Sequence, residues 1–330
     1  TSSSLYIRGI GNAESIATFD VPVGTYVDDV YISRQNHNNF SMFDVERIEV
    51  LRGPQGTLFG RNTTGGAINI VMKKPGDEVK GFVEGGVGRF GLWQVRGSVD
   101  LPWSDKFLTK FSAYKVKDDG YARQLSTGDL LNDRDASKAR IDLRELYSES
   151  LPADLVVEWV DDQNTNFLNV RDANDNRIVN NRLIEGALIG TFRGEKAALP
   201  LGNSAETQAV TLNVKWDISD AVSLTSISGY RKTEHDFLVD SGGELPRVTT
   251  TRGFTPLVNM GDHEQKSQEL RINGDSGNFN WVAGLYVLTE NNVTDFANGT
   301  LNTTTQLITV AADRTLINGL DTTAAYFQGD

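Results

Sequence analysis

The sequence predicts a mainly β protein that crosses a membrane with antiparallel strands instead of helices. Three observations carry that prediction. No run of ~18 or more apolar residues occurs in the 330-residue chain, so no transmembrane helix is encoded. About ten segments alternate apolar and polar residues, most near the ~9–11 residues that a tilted membrane-spanning strand needs. Short turns alternate with long polar connections between those segments, as on the two sides of an outer-membrane barrel.

Composition and charge narrow the functional classes. The chain has no cysteine, which removes disulfides, thiolate metal sites and a cysteine nucleophile. Its net charge of -12 repels phosphate backbones, so nucleic acid is not an expected partner. Thr1 to Tyr6 carry neither a basic nor an apolar leader stretch, so no signal peptide is visible. Residues 1–76 hold as many basic as acidic side chains, and the whole negative excess belongs to the remainder. Texture changes at the same place, at Lys73-Lys74-Pro75-Gly76, where a Pro-Gly pair turns the chain. Two domains are expected, 1–75 and 76–330.

The first of these is glycine-punctuated, with short apolar bursts at 21–30 and 48–51. Ile48, Val50, Ile68 and Ile70 are the expected apolar positions of its small core. The second reads as strands in series. Segments 79–89, 92–101 and 107–118 come first, the last alternating imperfectly. Arg140, Asp142 and Arg144 then alternate with Ala139, Ile141 and Leu143, and Leu155, Val157 and Trp159 share one parity. In 206–218, Val210, Leu212, Val214 and Trp216 oppose Ala209, Thr211, Asn213 and Lys215. Segment 222–237 alternates poorly. Leu270 and Ile272 mark 264–273, Phe279, Trp281, Ala283, Leu285 and Val287 mark 279–289, and 322–329 closes the series. Segments 162–205, 239–262 and 291–320 are expected to be long polar loops. A soluble β-sandwich also alternates, although repeated loops of ~20–40 residues are uncommon in one. The discriminator is whether the apolar parity faces outward toward lipid or inward onto a second sheet.

Four blocks in residues 1–76 carry a resemblance. They are Leu5-Tyr6-Ile7-Arg8-Gly9-Ile10-Gly11, Pro22-Val23-Gly24-Thr25-Tyr26-Val27-Asp28-Asp29-Val30-Tyr31, Val45 through Asn62 with Leu51-Arg52-Gly53-Pro54-Gln55-Gly56, and Gly65-Gly66-Ala67-Ile68-Asn69-Ile70. In this order and spacing they resemble the plug domain of TonB-dependent outer-membrane receptors. Ser267 to Ile272, leading into Asn280 to Tyr286, is similar to that family's barrel. The resemblance implies a small mixed α/β plug inside a partial antiparallel transmembrane barrel. It further implies a Gram-negative outer-membrane location and uptake of a scarce solute, by default a ferric siderophore, driven by TonB. The TonB box falls outside this chain, and about ten strands against the family's large barrel make the chain read as a piece of a longer protein. An open, curved sheet wrapping the plug is therefore expected, with Val210, Leu212, Trp216, Phe279, Trp281 and Leu285 on its convex, lipid-facing side.

The same resemblance assigns residue roles. Arg8 and Arg52, each flanked by glycine, are expected to pair with barrel-wall acids and lock the plug. Gly53, Pro54, Gly65 and Gly66 are the expected turn motif. Loops 11–18 and 33–39 are expected to face the cargo, with Asn12, Arg34, Gln35, Asn36 and His37 as candidate contacts. No enzyme is expected, and no cofactor or metal. Gly86-Val87-Gly88-Arg89-Phe90-Gly91 fits a dinucleotide fingerprint but leads into an alternating strand, not a helix. Ser241, the histidines His37, His235 and His263, and the acidic run 172–176 lack the context of a triad, a metal site or a calcium loop. The alternative function is a soluble or surface-exposed β-rich binding protein or adhesin without transport.

Overall fold

The computed structural model describes residues 4–12, 20–34, 43–56, 59–123, 130–165, 189–192, 195–198, 202–240, 256–302 and 307–329. In chain order the strands are β1 (Tyr6–Ile7), β2 (Ile10–Gly11), β3 (Val23–Val27), β4 (Val30–Ile32), β5 (Val45–Arg52) and β6 (Gly66–Met72). There follow β7 (Lys80–Val87), β8 (Trp93–Pro102), β9 (Phe107–Asp118), β10 (Ala122–Arg123), β11 (Leu130–Leu131), β12 (Arg134–Ser148) and β13 (Leu151–Asn164). The series ends with β14 (Ile189–Phe192), β15 (Glu195–Ala198), β16 (Gly202–Ser219), β17 (Val222–Asp240), β18 (Pro256–Asp275), β19 (Asn280–Asn302) and β20 (Leu307–Gly329). Among the described residues there is no helix, so the helical share of the expected mixed α/β unit has no counterpart in them.

Four N-terminal strands form one sheet in the order β4-β3-β6-β5. Its β3–β6 pair is parallel and its other pairs antiparallel. Val23, Thr25, Ile32, Ala67 and Ile70 are almost wholly buried in it. Ile70 takes its expected core place. Ile48 and Val50 do not: they pair with Ile70 and Ile68 and share their face, but on β5, an edge strand of the sheet, they are about half exposed. The expected turn motif closes β5 onto β6. Gly53 (φ 87°) donates its N–H to the Gly65 carbonyl at 3.2 Å, and Gly65 donates to the Pro22 carbonyl at 2.8 Å. Gly66 has φ 145°, and any side chain there would strike the Leu51 carbonyl oxygen, so glycine is required for backbone and for space.

The remaining long strands form a ten-stranded antiparallel meander, β20-β19-β18-β17-β16-β13-β12-β9-β8-β7, with β7 and β20 at its two ends. Its outward parity carries Phe111, Ile141, Val157, Val210, Leu212, Trp216, Leu270, Leu285 and Val287, all exposed. Phe279, in the turn before β19, is exposed too. Trp281 shares the outward side but is half-buried, its ring lying against Gly274. The inward parity is polar and buried: Arg140, Glu158, Thr207, Arg231, Thr233, His263, Gln265, Glu290 and Asn292. An apolar convex face and a polar concave face occupied by the small sheet invert a soluble sandwich and match a membrane wall.

One rim carries the short turns 103–106, 149–150, 220–221 and 276–279. At the other rim the strands run further than expected. The segment 291–320 is almost entirely strand, with β19 reaching Asn302 and β20 starting at Leu307. The reason is local. Beyond the apolar band both parities turn polar, as in Asn291, Asn292 and Thr294, so the period-two signal vanishes while the backbone ladder continues. The glycine run 86–91 is a strand–turn–strand connection with Phe90 and Gly91 at φ 60° and 66°, which leaves no helix N-terminus for a pyrophosphate.

Candidate functional site

Among the described residues, the concave face of the meander holds the small sheet through three buried charged contacts and two apolar ones, the Leu288 cluster and Phe43 lying against Phe82 and Tyr114 at 6.1 and 6.4 Å between centroids. The first contact is built by β4 and the two residues after it. Ser33 donates its N–H to Gln265 Oε1 at 3.2 Å and its hydroxyl to the same oxygen at 2.8 Å, while Gln265 Nε2 returns a bond to the Tyr31 carbonyl. Arg34 then reaches Glu290 on β19, Nη2 to Oε2 at 2.9 Å, with side-chain exposures of 4% and 0%. Its Nη1 binds Asp20 at 3.0 Å, and Arg61 binds the same Asp20 oxygen at 2.8 Å. His263, beside Ser33, makes its other ring contact with Asn292 at 3.0 Å.

The second contact lies at the β3–β4 turn, where Asp28 and Asp29 are both left-handed, at φ 49° and 68°. A two-residue hairpin turn of this hand suits aspartate. One Asp28 oxygen accepts the Met72 N–H at 2.9 Å, and the other accepts from Arg140 Nη2 on β12 at 2.7 Å. Arg140 also binds Asp142, and Glu158 between Lys138, Arg140 and Arg231 completes a buried cluster.

The third contact centres on Asp44 at the start of β5. Its carboxylate takes Lys110 Nζ at 3.1 Å, Ser112 Oγ at 3.1 Å and Lys73 Nζ at 3.4 Å. Burial alone would raise that carboxyl, but the Lys110 bond and charge, with Ser112 and Lys73, outweigh it and hold Asp44 below its ordinary value. One apolar contact packs Leu288 of β19, fully buried, against Tyr26, Tyr31 and Ala67. Tyr26 lies edge-on to Phe59 at 5.0 Å between centroids and donates its hydroxyl to the Phe59 carbonyl. Burial pushes the Tyr31 hydroxyl up to about 12, so it stays protonated while accepting from Asn62.

Glycine allows the closest approach of the two sheets. A Cβ at Gly229 on β17 would sit 2.7 Å from Val30 Cγ1 and 2.8 Å from Ser267 Oγ. The concave side also contains a cavity of about 440 Å³ between the small sheet and β12, β13 and β16, lined by Asp28, Arg140, Arg144, Asp154, Thr211 and Asn213 among others.

The expected site residues are distributed unevenly over this geometry. Arg8, itself at φ 52°, and Arg52 are exposed, and no ion pair joins them to a described residue. Asn12 is half-buried, and Gln35, Asn36 and His37 lie outside the described residues, as do Ser241 and 172–176. Arg34, expected to face cargo, pairs with Glu290 and Asp20. Asp28, Ser33 and Asp44 and their wall partners were missed. The signal available for the wall was parity: Arg140, Asp142 and Glu158 stand opposite the apolar positions of their strands, which places charge on the inward face.

Residues 1–67 match the family model described as the TonB-dependent Receptor Plug Domain. Over 296 residues, 86% of this chain and 39% of the relative, the sequence is 28% identical to the pesticin receptor of Yersinia enterocolitica. Over 130 residues, 39% of this chain and 18% of the relative, it is 32% identical to the pesticin receptor of Yersinia pestis. The fold is similar to the ferric yersiniabactin uptake receptor FyuA from Yersinia pestis, with a TM-score of 0.78 at 23% identity over 99% of this chain and 48% of that one. It is also similar to the siderophore receptor PiuA from Acinetobacter baumannii, with a TM-score of 0.68 at 12% identity over 99% of this chain and 49% of that one. The chain thus spans less than half the length of these relatives.

Proposed function

We propose that this chain serves outer-membrane import, since residues 1–67 match the plug of TonB-dependent receptors and the sheet that follows has the fold of a receptor barrel. In this reading the protein binds a scarce extracellular solute, by default a ferric siderophore, and passes it to the periplasm with energy transmitted by TonB. The observation that carries it is the pairing of an apolar convex face with a polar concave face filled by the small sheet. A soluble adhesin would cover Val210, Leu212, Leu285 and Val287 with protein, whereas lipid suits their exposure. The names of two structural neighbours, an uptake receptor for ferric yersiniabactin and a siderophore receptor, support an iron-chelate cargo.

The domain boundary is placed at Pro75–Gly76, between β6 and β7. Asn12, Arg34, Gln35, Asn36 and His37 are the proposed cargo contacts, Arg34 from its place beside Glu290 and Asp20, and Arg8 and Arg52 the proposed partners of wall acids outside the described residues. The test is a deletion strain complemented with the full-length gene and grown on single solutes, namely ferric siderophores, cobalamin and oligosaccharides. Energy-dependent uptake of one solute that disappears without TonB is expected. Uptake of none, or uptake indifferent to TonB, refutes the reading.

A further inference from the structure

The wall charges around Arg140 balance only when the small sheet is present. Lys138, Arg140 and Arg231 stand inward with Asp142 and Glu158, and each of these five side chains is less than a tenth exposed. Lys138 holds Glu158 at 2.9 Å, Arg140 holds Asp142 at 2.7 Å and Glu158 at 3.6 Å, and Arg231 lies 3.9 Å from Glu158. Three cations face two carboxylates, and the Asp28 carboxylate at 2.7 Å supplies the missing charge. The neutralising group therefore belongs to the other sheet. If Asp28 withdraws, one guanidinium is left buried without its full countercharge, which is costly until another anion takes its place.

The space around this pair gives the exchange a direction. On the short-turn side of the Asp28–Arg140 bond lies the cavity of about 440 Å³, running past Arg144, Asp154 and Asn213. On the other side is a void of about 20 Å³, lined by Ile32, Ala209, Gly229 and Gln265. Asp28, Arg140 and Thr211 line both spaces, so the ion pair is the partition between them. The turn that carries Asp28 contacts the wall with a side chain and keeps its own backbone bond, Asp28 N–H to the Ile70 carbonyl at 3.0 Å.

We propose that this cleft is the outlet for the solute, that the Asp28–Arg140 pair is its gate, and that Arg140 becomes an anion-holding station once Asp28 withdraws. The station would take a carboxylate or phenolate group of the passing solute, because a guanidinium fork matches paired oxygens. The outlet role rests on the transport reading, whereas the anion station does not.

The experiment uses the full-length protein with Thr211→Cys as a reporter in the cleft, since this chain contributes no other cysteine. Its modification is timed with an anionic sulfonatoethyl and a cationic trimethylammonioethyl methanethiosulfonate, and the ratio of the two rates is taken. Asp28→Asn keeps an oxygen for the Met72 N–H while removing the charge. It should raise the anionic-to-cationic ratio on the order of ten-fold. Adding Arg140→Gln should return the ratio to its starting value. A loosened small sheet would speed both reagents alike, so an unchanged ratio in Asp28→Asn overturns the proposal, as does a shift toward the cationic reagent. No cargo or energy source enters this measurement. A changed ratio with no uptake in the complemented strain would therefore strike the transport reading and leave the anion station standing.

Discussion

Replacing Arg34 by glutamine tests the deepest contact between the two sheets. The change removes the described cation beside Glu290, whose side chain has no exposure and whose second oxygen, Oε1, has no hydrogen-bond partner among the described residues. Breaking a buried pair from one side costs about 3–5 kcal/mol, mostly for the charge left behind. Glu290→Gln should cost less, about 1–3 kcal/mol, because Arg34 keeps Asp20, which is half exposed and open to water. The double variant should cost less than the two singles together, since no unpaired charge remains. The reporter is the Ser33 amide, which is bound to Gln265 Oε1 across the interface and exchanges with solvent only when the sheets part. In full-length protein in detergent, a loss of about 3 kcal/mol accelerates that exchange roughly a hundred-fold. Amides in the β12–β13 ladder serve as the control and should not change. If Arg34→Gln alters Ser33 exchange less than about five-fold, the pair behaves like a surface ion pair and the argument fails.

Gly229→Val should weaken docking by about 1–3 kcal/mol through overpacking against Val30, and Val30→Ala should recover part of it, read by the same amide. Asp44 gives docking an acid limb. Its docked carboxyl lies below the ordinary value, so its contribution is complete above that value and is lost as pH falls through the depressed one; Asp44→Asn should flatten that limb in an acid titration of exchange. Neutralising Arg8 and Arg52 together should raise leakage of bulky antibiotics through the full-length protein, and unchanged permeability discards their role as a lock.

The architecture was legible where one parity was apolar. Val210, Leu212 and Trp216 opposite Thr211 and Asn213 name a strand and its lipid face from the sequence alone, although the strand runs from Gly202 to Ser219 and not only over 206–218. Segment 291–320 was not legible as strand, because outside the hydrocarbon nothing requires alternation. The same logic separates what could be read of the site. Asp28-Asp29 between Val27 and Val30 is visible as a hairpin turn, and Arg140 is visible as an inward charge. Their meeting is not, since it joins residues 112 apart through the docking of two sheets. Arg8 and Arg52 were singled out by the family resemblance, and the buried ion pairs between described parts of the two sheets use Asp28, Arg34 and Asp44. Flanking glycine reports freedom of the backbone, and burial opposite a countercharge depends on the sheet packed above it.

The chemistry of the interface bears on why a plug can be both held and displaced. Apolar burial is additive with area, whereas a buried ion pair gains little net energy once desolvation is subtracted. Here the apolar contributions described are the cluster of Leu288 with Tyr26, Tyr31 and Ala67 and the contact of Phe43 with Phe82 and Tyr114, and the other principal contacts are charged or amide-rich. Such contacts fix register strongly, because any displaced arrangement leaves Glu290, Arg140 or Lys110 incompletely paired in a dry site. They contribute less to overall adhesion, because water can solvate both halves once the sheets separate. Under the proposed transport role, a high penalty for misplacement combined with modest adhesion suits a plug that returns to one position after each displacement. The polarity of the contacts also matters. Arg34 carries a cation to a wall acid, while Asp28 and Asp44 carry anions to wall cations. A small sheet slid along the wall would bring like charges together, so the alternation specifies the seat as well as holding it.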